Sequence, residues 1–405
     1  MTTPSRVPEG LTLPEIWCPL TVEVHPDAAL VEGVLLAWAT GFGLVADETA
    51  ARRFSLARYG VFTAYTFPHA ADLPLAAQWN AFDWFVDDRL DEEGVGLDFC
   101  RELLARMPVE EDISPSSSPS PLLAALDDLW RRTAPRRSIE WRRRFTGHYR
   151  DWLAFSVLAR RHRGEVDLET YFRRRRIHSG VEMSFDLTEA CDDRELPPDL
   201  VASQQYRELR AVANNAISWA NDIYSIRKEL ENGDAGFLPA LLVAGHGCDW
   251  PTALARSAEM IAAATRDFLT ACDDLREVAP LYGTECIEES IAILARWIAG
   301  SLRWHAESDR YRRSSVAWKE CGDPGTGAPT VEAGVTKESH VRSHDRPDRH
   351  PHPGRTGGSP GTPAGEPAWA DGGPAGEFQE ERGRVPRQRR RLARARLRRE
   401  RPGAA

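Results

Sequence analysis

The sequence predicts an all-α body, and three observations carry that reading. Apolar residues recur at three- and four-residue spacing through most of residues 29–311. No stretch alternates apolar and polar residues as a half-buried strand would. Hydrophobic residues make up 42% of the 405 residues and include 13 tryptophans, enough to fill a sizeable core. No internal repeat is visible.

The elements follow in order. Residues 1–28 form an extended lead-in, because Pro4, Pro8, Pro14, Pro19 and Pro26 forbid a long helix. Amphipathic helices are expected at 29–41, 48–59, 73–92 and 97–107. The Ser-Pro repeats of 113–121 make a loop. Helices return at 121–132, 139–159 and 168–190. Leu196–Pro198 breaks the chain, and 200–233 then reads as the longest uninterrupted helix. Further helices are expected at 237–244, 251–278 and 284–311. The composition shifts after about residue 316. Residues 321–375 are rich in Gly, Pro, Ser, Thr and His, with too little apolar surface to offset ordering entropy. Residues 382–401 hold eleven arginines. The organisation expected is a lead-in (1–28), one helical domain (29–316) and a disordered basic tail (317–405), a membrane or nucleic-acid arm being the sharper alternative for that tail.

Charge and cysteine usage exclude several classes. The net charge of −9 conceals a split, with residues 321–405 at +5 and residues 1–320 at −14. An acidic body argues against a nucleic-acid-binding surface. Seven scattered cysteines show no CxxC spacing, so neither a disulfide framework nor a zinc site is expected. No run reaches the roughly 18 apolar residues that span a bilayer, and the start lacks an apolar leader segment. A soluble, cytoplasmic protein is expected.

Two constellations carry chemistry. In Phe82-Asp83-Trp84-Phe85-Val86-Asp87-Asp88-Arg89-Leu90-Asp91, an aromatic run ends in carboxylates. Asp87 and Asp91 stand four apart and Asp88 and Asp91 three apart, which places them on one helix face. Such carboxylates repel unless a hard divalent cation such as Mg²⁺ gathers them. Asp127-Asp128 and Asp192-Asp193 lack the spacing. Asp273-Asp274 with Glu277 has it but lacks the aromatic approach and reads as a solvated face. The second constellation sets Asn221, Ser225 and Glu229 at i, i+4 and i+8. An amide carbonyl, a hydroxyl and a carboxylate would share one face as oxygen donors for one cation. A solvated stripe is the alternative, but Asn and Ser are mediocre helix formers, and Asn214, Ile217 and Ser218 continue the face inward.

Together these motifs resemble the two metal motifs of bacterial class I terpene synthases. Arg176-Ile177-His178-Ser179-Gly180 resembles that family's diphosphate-sensing arginine and the small pair that breaks the next helix. Arg173, Arg174 and Arg175 leave its register open by one residue. Trp304 with Arg310-Tyr311 resembles the closing Arg-Tyr pair. The resemblance spans about residues 80–311 and implies a helical bundle around a deep cavity. It further implies metal ligation by Asp87, Asp88, Asp91, Asn221, Ser225 and Glu229, with three Mg²⁺ expected and Mn²⁺ as a substitute. Arg176, Lys228, Arg310 and Tyr311 would bind the diphosphate of a prenyl substrate, with Ser179 and Gly180 as linking and effector positions. Trp84, with Phe62, Tyr65 and Phe85 behind it, would face carbocations by cation–π attraction, unless these aromatics are plain core. Farnesyl diphosphate cyclised to a sesquiterpene is the expected reaction, with geranyl diphosphate second. The chain is expected as a monomer or homodimer. A chain-elongating prenyltransferase would need a second aspartate-rich motif in place of 221–229. A non-catalytic binding module working through its tail is the remaining alternative.

Overall fold

The computed structural model describes residues 10–90, 95–110, 120–161, 167–308 and 310, with the backbone alone for 158–161. The chain divides into two units, Met1–Gly327 and Ala328–Ala405, and the described residues lie in the first. Among them the secondary structure is helical, without a strand. In chain order the helices are α1 (Ala28–Gly41), α2 (Glu48–Ala57), α3 (Tyr59–Thr66), α4 (Leu73–Asp88), α5 (Leu97–Ala105), α6 (Pro121–Thr133), α7 (Ile139–Arg161), α8 (Leu168–His178), α9 (Val181–Cys191), α10 (Pro198–Ala202), α11 (Gln204–Tyr224), α12 (Ile226–Glu231), α13 (Leu238–His246), α14 (Trp250–Arg276), α15 (Ala279–Tyr282) and α16 (Thr284–Glu307).

The periodicity located these helices but overran several of their boundaries. The helix expected over 48–59 breaks at Arg58, which is left-handed (φ 56°). The Trp304 indole N–H donates to the carbonyls of Ala57 (3.1 Å) and Arg58 (3.0 Å), so the Ala57 carbonyl freed by the break is satisfied from α16, while the Arg58 carbonyl also takes Phe62 N–H (3.0 Å). The stretch 168–190 splits at Ser179 and Gly180, the latter at φ 69°. The expected longest helix, 200–233, is three pieces. Ser203 caps α11 by accepting from Tyr206 N–H at 3.2 Å, and Ser225 separates α11 from α12. Among the described residues the longest helix is instead α14, with 27 residues. The last expected helix, 284–311, ends at Glu307, with Ser308 extended.

Helix α4 starts from an Asp72 cap, whose carboxylate accepts from Leu75 N–H at 3.0 Å. At its far end Arg89 and Leu90 widen into a π turn. Its neighbours are α1, α3, α6 and α9; α11 packs on α14, α16, α8 and α9; and α16 packs on α3. This ring sets the ends of α4 and α11–α12 facing each other. Gly300 makes the α3–α16 approach possible, because a Cβ there would lie 2.5 Å from the Tyr65 carbonyl oxygen.

The core is dominated by aromatics, including fully buried Trp79, Trp130, Trp141, Trp297 and Trp304. Their indole N–H groups find partners, as with Trp79 to Thr133 Oγ1 (2.9 Å) and Trp297 to Thr188 Oγ1 (2.8 Å). A polar network ties α7, α9 and α11. Asp186, fully buried, receives Arg144 Nε (3.0 Å), Arg210 Nη1 (2.9 Å) and His148 Nδ1 (2.6 Å). Burial opposes its ionisation, yet Arg210, His148 and Arg144 hold it well below the usual carboxylate range.

Candidate active site

The second constellation keeps its predicted face although its helix is interrupted. Ser225 N–H donates to the Asn221 carbonyl (2.8 Å), and Glu229 N–H donates to the Ser225 carbonyl (3.0 Å). The four-residue register therefore runs through the break, and Asn221, Ser225 and Glu229 form one ladder. The Ser225 hydroxyl is buried and finds no hydrogen-bond partner among the described residues. An orphaned buried oxygen costs free energy unless a ligand satisfies it.

Across the mouth, α4 presents Asp87 and Asp88. Lys228 Nζ lies 3.9 Å from Asp87 Oδ2 and 3.8 Å from Asp88 Oδ1. Arg310 Nη2 lies 3.1 Å from Asp88 Oδ1, and Nη1 of the same guanidinium donates to the Tyr59 hydroxyl. Carboxylates from α4, an ammonium from α12 and a guanidinium beyond α16 thus meet at one end of the bundle. Asp91 and Tyr311 lie outside the described residues. One turn below Asp87 on α4, Asp83 accepts from the Tyr149 hydroxyl at 3.0 Å. Burial, aided by Asp87, pushes its carboxyl well above the usual range.

Of the four consecutive arginines, the structure turns Arg175 into the bundle and leaves Arg173 and Arg174 exposed. Arg175 donates to Asp222 Oδ1 (2.9 Å), the Ser218 carbonyl (3.1 Å) and Asn221 Oδ1 (3.1 Å). Burial works against its charge, but Asp222 more than offsets this and keeps the guanidinium ionised. Asp222 also accepts from the Tyr171 hydroxyl (2.5 Å) and Leu238 N–H (2.8 Å). Arg176 is half-buried, and its guanidinium makes no ion pair among the described residues. So the guanidinium that reaches the ladder is that of Arg175, not Arg176. No spacing rule separates two adjacent arginines; a rotation of about 100° per residue around α8 does.

Ser179 and Gly180 sit where α8 hands over to α9. The Ser179 hydroxyl bonds the Arg176 carbonyl (2.9 Å) and Asn214 Oδ1 (3.0 Å). Asn214 Nδ2 donates to the Arg176 carbonyl (3.0 Å) and to Glu182 Oε1 (3.0 Å). One α11 side chain therefore clamps the break while the same helix carries the ladder. His305, which the sequence did not single out, contacts Asn221, and burial pushes its imidazole down to about 4.

Trp84 stands in an aromatic stack. Its ring centroid is 4.0 Å from Tyr59 and 5.3 Å from Trp304, both 24° from parallel, with Phe62 edge-on. Phe85 stacks on Phe54, and Tyr65 donates its hydroxyl to Glu307 (2.9 Å). These aromatics pack against one another and the core.

The competing acidic pairs are occupied elsewhere. Asp273 pairs with Arg276 on the exposed face of α14 (3.0 Å), and Asp127 pairs with Arg106 (2.9 Å). Among the described residues, no group of three or more His, Cys, Asp or Glu side chains could hold a metal. A cation here would rely on amide and hydroxyl oxygens beside Glu229, Asp87 and Asp88. That all-oxygen donor set, with the orphaned Ser225 hydroxyl in it, fits a hard divalent ion. No described helix is long and apolar enough to cross a membrane.

Known proteins place the chain in a family. Residues 78–267 match the family described as "Terpene synthase family 2, C-terminal metal binding". The chain is 30% identical over 304 residues to the (+)-T-muurolol synthase of Roseiflexus castenholzii, covering 72% of this chain and 92% of that one. It is 30% identical over 307 residues to the (−)-delta-cadinene synthase of Streptomyces clavuligerus, covering 71% and 91%. The solved linalool/nerolidol synthase of Streptomyces clavuligerus superposes with a TM-score of 0.65 at 26% identity, covering 72% of this chain and all of that one. This chain belongs to the bacterial class I terpene synthase family. Within that family it is an enzyme, a terpene cyclase acting as a lyase.

Proposed function

We propose that the enzyme ionises farnesyl diphosphate in a Mg²⁺-dependent step and cyclises the resulting cation to a sesquiterpene, releasing diphosphate. The observation that carries the metal part is the ladder of Asn221, Ser225 and Glu229 facing Asp87 and Asp88, with the Ser225 hydroxyl unpartnered among the described residues. The substrate part is supported by the T-muurolol synthase, whose name describes it as cyclising (2E,6E)-farnesyl diphosphate.

Asn221, Ser225 and Glu229 on one side, and Asp87, Asp88 and Asp91 on the other, would hold the cations, three Mg²⁺ with Mn²⁺ as a substitute. When bound, these ions supply Lewis-acid stabilisation of the departing diphosphate. Lys228 and Arg310 rest on Asp87 and Asp88 in this structure. As substrate enters they turn from those carboxylates to diphosphate oxygens, and Arg176 and Tyr311 join them. Their charge is then aimed at the leaving group, where it lowers the barrier. The Ser179–Gly180 break, clamped by Asn214, is placed to relay the arginine's movement to α9. Aromatic packing around Trp84 excludes water from the cation below.

The test is to incubate the purified protein with Mg²⁺ and geranyl, farnesyl or geranylgeranyl diphosphate separately, reading volatile products by mass spectrometry. A cyclic product from farnesyl diphosphate, absent without Mg²⁺ and in Asn221→Ala, is expected. A cyclic product from geranyl diphosphate alone would select the second reading, which the linalool/nerolidol synthase complex with 2-fluorogeranyl diphosphate supports. Longer diphosphates on addition of isopentenyl diphosphate, or silence from a folded sample, would refute the cyclase assignment.

A further inference from the structure

His305 lies in the last turn of α16, almost wholly buried, and belongs to none of the motifs above. Its ring is held by Tyr224, stacked at 5.2 Å, and by Trp304, edge-on at 5.1 Å. Nδ1 lies 2.6 Å from the carbonyl oxygen of Ser301, one turn back on the same helix. A carbonyl oxygen can only accept, so Nδ1 carries the proton and Nε2 presents a lone pair. That lone pair lies 3.1 Å from Nδ2 of Asn221, which donates to it. At the other end of the amide, Arg175 Nη2 donates to Asn221 Oδ1 at 3.1 Å.

The two contacts agree on one orientation: amide nitrogen toward α16, amide oxygen toward α8. A flipped amide would set its N–H against a guanidinium and its oxygen against a lone pair, losing both bonds. The orientation matters because a divalent cation accepts the amide oxygen and is repelled by the amide N–H.

We propose that His305 is a positioning residue for the metal ladder: it takes the NH₂ end of Asn221 so that the carbonyl oxygen is the end offered to a cation. This rests on the reading of Asn221 as a ligand. Outer groups that orient metal ligands typically account for about 10- to 100-fold in metal affinity.

Two measurements on the full-length protein test it. In metal-free protein labelled with ¹⁵N-histidine, long-range proton–nitrogen correlation should show His305 protonated on Nδ1 and bare on Nε2. A ring protonated on Nε2, or on both nitrogens, overturns the proposal. Mg²⁺ binding is then followed by calorimetry with inorganic diphosphate present. His305→Phe keeps the ring stacks and should weaken Mg²⁺ about 10-fold, whereas His305→Gln, whose carbonyl can still accept, should stay within about threefold of the parent. Unchanged affinity in His305→Phe, or an equal loss in both variants, overturns the proposal. A parent that binds no Mg²⁺, or whose binding survives Asn221→Ala, would instead strike the ligand reading, and the tautomer would still decide how Asn221 is held.

Discussion

Arg175 and Arg176 are neighbours in sequence with opposite circumstances. Arg175 is pinned to Asp222, and removing one partner of a buried ion pair leaves an uncompensated charge. Arg175→Ala should therefore cost about 3–5 kcal/mol in chemical denaturation. Arg176→Ala should leave the melting point unchanged while lowering kcat/KM for diphosphate release about 100-fold. If the losses of turnover and stability were interchanged, the diphosphate-sensing position would move to Arg175. His148 gives a second prediction. Burial lowers its proton affinity, but Asp186 outweighs this and raises it above the ordinary value, with Glu182 adding to the rise and Arg210 opposing it. A histidine raised in the fold contributes stability that is present below its ordinary pKa and lost as pH climbs through the folded one. Glu189, raised chiefly by burial, acts in the same direction. The melting temperature should fall as pH rises above about 6.5, and more gently in His148→Gln. A flat profile in the parent would contradict this.

At the scale of elements, the candidate functional positions cluster where helices break. Ser179–Gly180 separates α8 from α9, and Ser225 separates α11 from α12. Gly180 is required by its left-handed backbone, and a Cβ there would also press within 3.2 Å of Met183 Cε. Gly180→Ala should destabilise the fold by about 1–2 kcal/mol. It should also slow turnover beyond what the stability loss explains, because the Ser179–Asn214 clamp would shift. Equal turnover at a temperature where both proteins are fully folded would remove the break from the mechanism. Spacing made the Asn221 ladder legible in the sequence, since a four-residue interval survives a break that keeps its backbone bonds. The breaks themselves were only partly legible. Gly180 carries a signal, but Arg58 does not: the last carbonyl of α2, that of Ala57, is met by Trp304, 247 residues away.

For the whole molecule, the helical unit alone holds every described residue of the candidate site, and the arginine-rich tail lies outside the described residues. Deleting residues 321–405 should leave turnover of the diphosphate substrate within about twofold, since every described residue of the candidate site precedes them. A large drop, read as diphosphate released per enzyme, would assign the tail a part in catalysis. The aromatic residues show what packing adds at this scale. Trp84 precedes the aspartates at helical spacing, which suggested a wall facing substrate. The fold stacks it with Tyr59 and Trp304 from two other helices.

The sequence by itself determined the helical class, most helix positions, the two oxygen-donor motifs and the family, because these depend on residue type and on intervals of three or four residues. Tertiary structure alone decided which arginine meets Asn221, that Asn214 ties the α8–α9 break to the ladder helix, that Asp83 is paired with Tyr149, and that His305 meets the Asn221 amide. Each of those is a contact between helices far apart in the chain. A local period specifies which face a side chain occupies, but only packing specifies what that face meets.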